Sequence, residues 1–191
     1  MTTTTPSSSA TFRKVHPLDA HSAIRLGLPA PDHLAVIRSA AMASVLVAPA
    51  FEAEAKAVLL SALGAGLRYV SPGEWLAVSR DEVPEGLLGR LSMTLAGMAD
   101  VIDQSDARVL LDLSGPAVRA ILAKGAGVDL RPDAFPVGRS ANVVIGHVAA
   151  NLAAVAPDRF EIAVTRSYAV ALTDDLLLMG REFGLSVGFS D

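Results

Sequence analysis

Between Val101 and Leu130 the chain spells out its local structure more sharply than anywhere else. Val101-Ile102-Asp103 reads as a short apolar strand running into the polar turn Gln104-Ser105-Asp106, and Val109-Leu110-Leu111-Asp112-Leu113 reads as a second strand. Ser114-Gly115-Pro116 then breaks the ladder, because Pro116 has no backbone donor and fixes its own φ. Ala117 to Lys124 follows as a helix that stops at Gly125, with Gly127, Val128, Asp129 and Leu130 beyond it. A chain that changes from a period of two to a period of 3.6 across three residues folds as alternating strands and helices, and its neighbours must supply the partners. Alternation puts Val109, Leu111 and Leu113 on one side of the second strand and Leu110 and Asp112 on the other, so Asp112 faces either solvent or a partner.

Upstream, Ser44 to Ala48 is the first regular strand candidate, ended by Pro49. Phe51 to Leu63 is a helix with Phe51, Ala55, Val58, Leu59 and Ala62 on one face, closed by Gly64. Gly64-Ala65-Gly66 follows a helix and leads into the strand Leu67 to Val70. That is the reverse of the strand-to-helix order a dinucleotide loop requires. Ser71-Pro72-Gly73 is a turn, Glu74 to Val78 a strand with Trp75 packed against the sheet, and Pro84 opens a helix with Leu87, Leu88, Leu91, Leu95 and Met98 on one stripe. With Val101-Ile102 the succession is a split β-α-β unit. From Val109 it starts again, with a strand, a helix, strands around Ala141 to Val155 and Phe160 to Thr165, and a helix from Ser167 to Phe183 striped by Tyr168, Leu172, Leu176, Met179 and Phe183. Gly184 stands at its C-cap, and Leu185 to Phe189 is a closing strand. The expected fold class is α+β: two split β-α-β halves, about 40–104 and 105–190, with antiparallel sheets and covering helices in one domain over 31–191. Residues 1–30, rich in Thr, Ser and Pro and carrying Pro17, Pro29 and Pro31, are expected to bury little and to form a flexible segment.

Composition removes several functions. A formal net charge of −4 at pH 7 gives no electrostatic footprint for nucleic acid. The chain has no cysteine, which excludes disulfides, thiolate nucleophiles and cysteine-based metal sites. Its hydrophobic content is 51%, yet Pro49 interrupts the run from Ala40 to Phe51, and His147 and Asn151 interrupt the run from Val143 to Val155. No stretch reaches the ~20 uninterrupted apolar residues of a membrane span. The amino terminus lacks a basic cap followed by an apolar run, so a cytoplasmic location is expected.

A reaction centre is hard to find. Among the carboxylates, Asp112, Asp129 and Asp133 have no evident acid–base partner, and Asp174-Asp175, mid-helix beside Thr173, read as a solvated face. His16, His21, His33 and His147 lack metal-type spacing, and His147 reads as a hydrogen-bonding residue of a hairpin. Ser167 beside Arg166 has no base and reads as an N-cap. There is no Walker loop, no Gly-x-Ser-x-Gly elbow and no strand-linked glycine fingerprint. No catalytic, cofactor-binding or metal-ligating residue is assigned. Arg119, Arg139 and Arg166 are candidate contact residues, because a planar guanidinium pairs with carboxylates and stacks on rings at interfaces.

Six pieces in order carry a family likeness: Gly73-Glu74-Trp75-Leu76; Val101 to Asp106; Leu113-Ser114-Gly115-Pro116-Ala117 with Ile121 to Gly125; Val128-Asp129-Leu130; Phe135-Pro136-Val137-Gly138; and Arg166-Ser167-Tyr168-Ala169. Together, over about residues 40 to 185, they resemble the gamma subunit of heterotetrameric sarcosine oxidase. That family is similar in turn to the folate-binding aminomethyltransferase, or glycine cleavage T-protein, superfamily. The resemblance implies ferredoxin-like halves like the T-protein amino-terminal lobe, and a small non-catalytic subunit beside larger subunits, the alpha subunit most directly. It implies a complex that demethylates sarcosine oxidatively to glycine, forming methylenetetrahydrofolate and hydrogen peroxide, with FAD, FMN, NAD and tetrahydrofolate on the partner subunits. Asn142 departs from the threonine expected after Gly138, and the Lys-Gly-Cys-x-x-Gly-Gln signature of some superfamily members is absent. The alternative reading is a self-sufficient folate-binding or one-carbon transfer module.

Overall fold

The computed structural model describes residues 15–26 and 30–190. Its regular elements are β1 (His33–Ile37), β2 (Ala41–Val47), α1 (Glu52–Leu63), β3 (Leu67–Ser71), β4 (Glu74–Ser79), α2 (Pro84–Thr94), β5 (Ala99–Asp103), β6 (Arg108–Ser114), α3 (Val118–Ala123), β7 (Ser140–Ile145), β8 (Val148–Ala156), β9 (Arg159–Thr165), α4 (Ala169–Gly180) and β10 (Ser186–Ser190). The larger sheet has the order β10-β1-β6-β9-β8-β7 and the smaller one β3-β4-β2-β5. All pairings are antiparallel except that of β1 with β10.

Strand alternation explains how the sheets stack. In β6, Val109, Leu111 and Leu113 join Val118, Ile121 and Leu122 of α3 and Leu172 and Leu176 of α4 in one core, while Leu110 points the other way. In the smaller sheet, Ala43, Val45, Trp75 and Ala77 pack with Ala55 and Leu59 of α1 and Leu87 and Leu91 of α2. Between the sheets, Ile37, Met42, Leu76, Val78, Leu110 and Ala163 form a third cluster. The order of layers is therefore helices, sheet, sheet, helices. Strands buried on both faces read as near-continuous apolar runs, as β2 and β6 do.

The stretch from Val101 to Leu130 crosses from one sheet to the other. β5 closes the smaller sheet and β6 sits inside the larger one, so the turn at Gln104 to Ala107 joins the two halves. Two features differ from the sequence reading. β1, which precedes the first predicted strand, was not evident because Pro31, Asp32 and His33 surround a five-residue run. It lies in the larger sheet between β6 and β10, so the second half contains a strand from before the first. The segment expected to bury little also contributes to the core, since Leu18 is completely buried. The Thr/Ser/Pro tail itself lies outside the described residues.

Helix faces are narrower than their sequence stripes. On α1, Ala55 and Leu59 are buried, but Phe51 and Ala62 are exposed. On α4 the buried set is Ala169, Leu172, Thr173, Leu176 and Gly180, and Tyr168 is exposed. Gly64 ends α1 at φ 51° with its N–H bonded to the Leu60 carbonyl, as its C-cap position required. No helix among the described residues is long and apolar enough to cross a membrane.

The Ser-Gly-Pro turn has a specific structural reason. Gly115 has φ 130°, and a Cβ there would come within 2.4 Å of the Pro31 carbonyl oxygen and 2.5 Å of Asp32 Oδ1. Asp32 Oδ1 in turn accepts a 2.7 Å hydrogen bond from the Ala117 N–H at the entry to α3. The turn thus seats the segment leading into β1. Gly115→Ala is expected to cost at least about 2 kcal/mol from backbone strain and overlap, or roughly 4–8 °C in thermal melting. Asp32→Ala should cost only about 1 kcal/mol, the usual value of a lost cap. A Gly115→Ala protein melting within about 1 °C of the parent, under half a kcal/mol by the same scaling, contradicts this close approach.

Candidate functional site

Charged side chains in the middle of otherwise apolar strands converge between the two sheets. β6 and β9 are paired so that Asp112 and Glu161 stand directly opposite each other, and both are buried. Two like charges in that register repel, and three arginines answer them. Arg159 Nε donates to both carboxylate oxygens of Asp112 at 2.9 and 3.0 Å. Arg80, just after β4, reaches Asp112 Oδ2 at 2.8 Å and Glu161 Oε1 at 3.4 Å through the same Nη1. Arg68 of β3 is completely buried and donates through Nη2 to Glu161.

Two of these arginines come from the smaller sheet and both carboxylates from the larger, so the network ties the halves together. Burial pulls the Arg68 guanidinium below the usual arginine range, opposed chiefly by the charge of Glu161. Asp112 has the opposite effect on Arg159, whose pKa is raised by the hydrogen bonds between them. Arg68 keeps two buried donors, Nε and Nη1, without hydrogen-bond partners. Both carboxylates are held in ion pairs. What the arrangement does chemically is fix the two sheets in one position.

The other candidates are dispersed. Asp174 is exposed, as a solvated face implies, with Oδ1 2.9 Å from His21 Nε2, whereas Asp175 is half-buried and its Oδ2 accepts the His147 N–H at 3.2 Å. The helical wheel could not show this, because His21 belongs to the entering segment and His147 to the β7–β8 turn. The His147 ring is exposed, 3.5 Å from Asp175. His33 Nδ1 meets Ser186 Oγ at 2.7 Å, joining β1 to β10. Ser167 is not a side-chain cap of α4; the helix is entered through a 3-10 turn at Arg166–Tyr168. Asp129 is held down at a pKa of about 2, mainly by hydrogen bonds from Arg131.

The three candidate contact arginines occupy different settings. Arg119 donates from Nε to the Pro157 carbonyl at 3.2 Å and from Nη1 to the Leu130 and Phe135 carbonyls at 2.5 and 3.3 Å, with its guanidinium 4.9 Å from the Phe160 ring centre. It thereby holds the loop between α3 and β7. Arg139 is exposed at the end of that loop, donating to the Ala134 carbonyl at 2.5 Å. Arg166 donates to the Val15 carbonyl and borders a cavity on another side of the molecule. Asn142 joins Asn151 and the Val70 carbonyl, linking β7 to β3. Among the described residues no group of three or more His, Asp or Glu side chains is placed to hold a metal ion.

These features define a two-sheet α+β protein whose buried charges are used to join its halves. The fold is shared with a chain of the heterotetrameric sarcosine oxidase from Corynebacterium sp. U-96, at TM-score 0.74 and 21% identity over 89% of this chain and 96% of that one. It is shared less closely with the glycine cleavage system aminomethyltransferase T from Bartonella henselae, at TM-score 0.59 and 19% identity, covering 83% of this chain and 48% of that one. The pattern of the sarcosine oxidase gamma subunit family matches residues 33–177, and the chain belongs to that family. A sarcosine oxidase subunit gamma from Arthrobacter sp is 36% identical over 89 residues, which is 46% of this chain and 43% of that protein. The chain thus matches less than half the length of that curated relative.

The arginine–carboxylate layer yields a stability prediction. Glu161→Leu leaves Arg68 buried and uncompensated and should cost about 3–5 kcal/mol in urea unfolding. Adding Arg68→Met removes the stranded charge and its unpartnered donors, and should return stability to within about 1 kcal/mol of the parent. A single variant within about 0.5 kcal/mol of the parent, the size of an ordinary surface change, contradicts the assigned role of the pair.

Proposed function

We propose that this chain is the small, non-catalytic subunit of a sarcosine oxidase-type heterotetramer, with the alpha subunit as its direct contact. The observation that carries the reading is the family match over residues 33–177, and the fold shared with a chain of such an oxidase supports it. The oxidative demethylation of sarcosine to glycine, the passage of the one-carbon unit to tetrahydrofolate and the reduction of oxygen to hydrogen peroxide are assigned in this reading to the larger subunits. FAD, FMN, NAD and tetrahydrofolate go with them.

Two cavities among the described residues are poorly suited to a dinucleotide. A partly enclosed cavity beside Arg166 measures about 220 Å³, below the ~300–1,000 Å³ of pockets that bury such ligands. A larger one, about 420 Å³, opens beside Arg80, Arg159 and Glu161, where the charged side chains are already bound to one another. No step is therefore routed through a cofactor on this chain.

We also read the first half, β2 to β5, as a ferredoxin-like split unit, and residues 31–191 as one working domain; in the second half α3 joins the oppositely directed β6 and β7, and only β9, α4 and β10 make a parallel crossover. The element order strand, helix, strand, strand, helix, strand from β2 to β5, with the strand order β3-β4-β2-β5, supports the first point. The ion network that joins the sheets supports the second. Of the three candidate contact arginines, Arg139 is the exposed one and is proposed to meet a partner carboxylate.

Co-expression of the tagged full chain with the larger sarcosine oxidase subunits tests both statements. The parent chain should retain those subunits through affinity and size-exclusion steps, and Arg139→Glu should reduce recovery about tenfold, the effect of roughly 1.4 kcal/mol. A parent chain that retains none of the larger subunits contradicts the subunit reading. Undiminished recovery with Arg139→Glu removes that position from the contact.

A further inference from the structure

The cavity of about 220 Å³ lies between the first described turn of the chain and the ends of β1, β2 and β6. Its floor is apolar, with Ile37, Met42 and Leu110 of the inter-sheet cluster, and three arginines, Arg38, Arg108 and Arg166, line it. The carboxylate on its wall, Asp19, is paired with Arg38 at 3.1 Å. Arg166 donates to a neutral acceptor, the Val15 carbonyl. Positive charge is thus in excess around a partly enclosed space, where an apolar floor strengthens electrostatic attraction.

Arg108 is the unusual member. It stands at the start of β6, on the same side of the strand as Leu110 and Asp112. Its Nε is buried and has no hydrogen-bond partner. No carboxylate among the described residues pairs with it, and burial holds its pKa below the usual arginine range, offset only by the more distant charge of Glu74. The contrast with Arg68, Arg80 and Arg159 is direct, since each of those is bound to a carboxylate. Arg108 also borders a more open depression, but Asn142, Asn151 and Thr165 there add no second cation.

We propose that this cavity binds a small free oxyanion, a carboxylate or a phosphate, with Arg108 as its principal ligand and Arg166 adding charge. A carboxylate or phosphate group would accept from the Arg108 guanidinium and give it the charge partner that the described residues do not supply. The volume suits an anion carrying a few carbons and excludes a nucleotide. Nothing in this inference depends on the heterotetramer, so the two can fail separately.

The test uses the full chain alone, melted in acetate and in inorganic phosphate against chloride at equal ionic strength. At least one of the two should raise the melting temperature saturably, and Arg108→Gln should abolish the rise while Arg108→Lys retains part of it. Stabilisation by acetate alone identifies a carboxylate site, by phosphate alone a phosphate site, and by both a general oxyanion site. In chloride, Arg108→Gln should melt at or above the parent temperature, because it removes a half-buried cation with no carboxylate partner among the described residues. No anion-specific rise in the parent, an equal rise in Arg108→Gln, or a large drop in melting temperature for Arg108→Gln in chloride overturns the proposal.

Discussion

The rest of the structure depends on how Asp112 and Glu161 are neutralised. They face each other across β6 and β9, in the interior of the larger sheet and on the side where the smaller sheet covers it. Two buried carboxylates in contact register cannot both remain ionised without cations brought to them. Arg159 comes from the same sheet, but Arg68 and Arg80 come from the other, and they reach their partners only when the smaller sheet lies over β6 and β9. A non-directional apolar cluster would tolerate sliding between the sheets. The ion pairs specify one position, and the apolar residues Met42, Leu76, Val78 and Leu110 fill the space around them.

Much of this architecture was legible in the sequence because its punctuation is strong. Gly64, Ser71-Pro72-Gly73, Pro84 and Ser114-Gly115-Pro116 fall at element boundaries, and the stretch from Val101 to Leu130 marks the change from one sheet to the other. What was hidden is non-local. β1 is a five-residue strand that finds its identity only by pairing with β6 and β10, elements far away in the chain. Arg68 and Glu161 each sit between apolar neighbours in short strands, a pattern that signals a buried charge but names no partner. For the same reason alternation alone puts Asp112 toward either solvent or a partner, and the partners are Arg159 and Arg80. Asp174 and Asp175 followed helical spacing, yet their surroundings are set by a turn and a hairpin that spacing does not encode.

Membership of the sarcosine oxidase gamma subunit family gives this economy of chemistry a context. The ionisable groups in the interior serve as structural joints, and Arg119 spends its donors on backbone carbonyls to shape the loop from Leu130 to Phe135. Arg108 differs from Arg68, Arg80 and Arg159 in having no carboxylate partner among the described residues.

In the proposed reading this chain supplies structure and contact, and the redox chemistry belongs to the larger subunits. Absorbance and turnover of the full chain, purified alone, test it most directly. The account predicts a protein without flavin absorbance that consumes no oxygen in the presence of sarcosine, and that permits turnover only when the larger subunits are present. A bound flavin, or sarcosine-dependent oxygen uptake by the isolated chain, would contradict it.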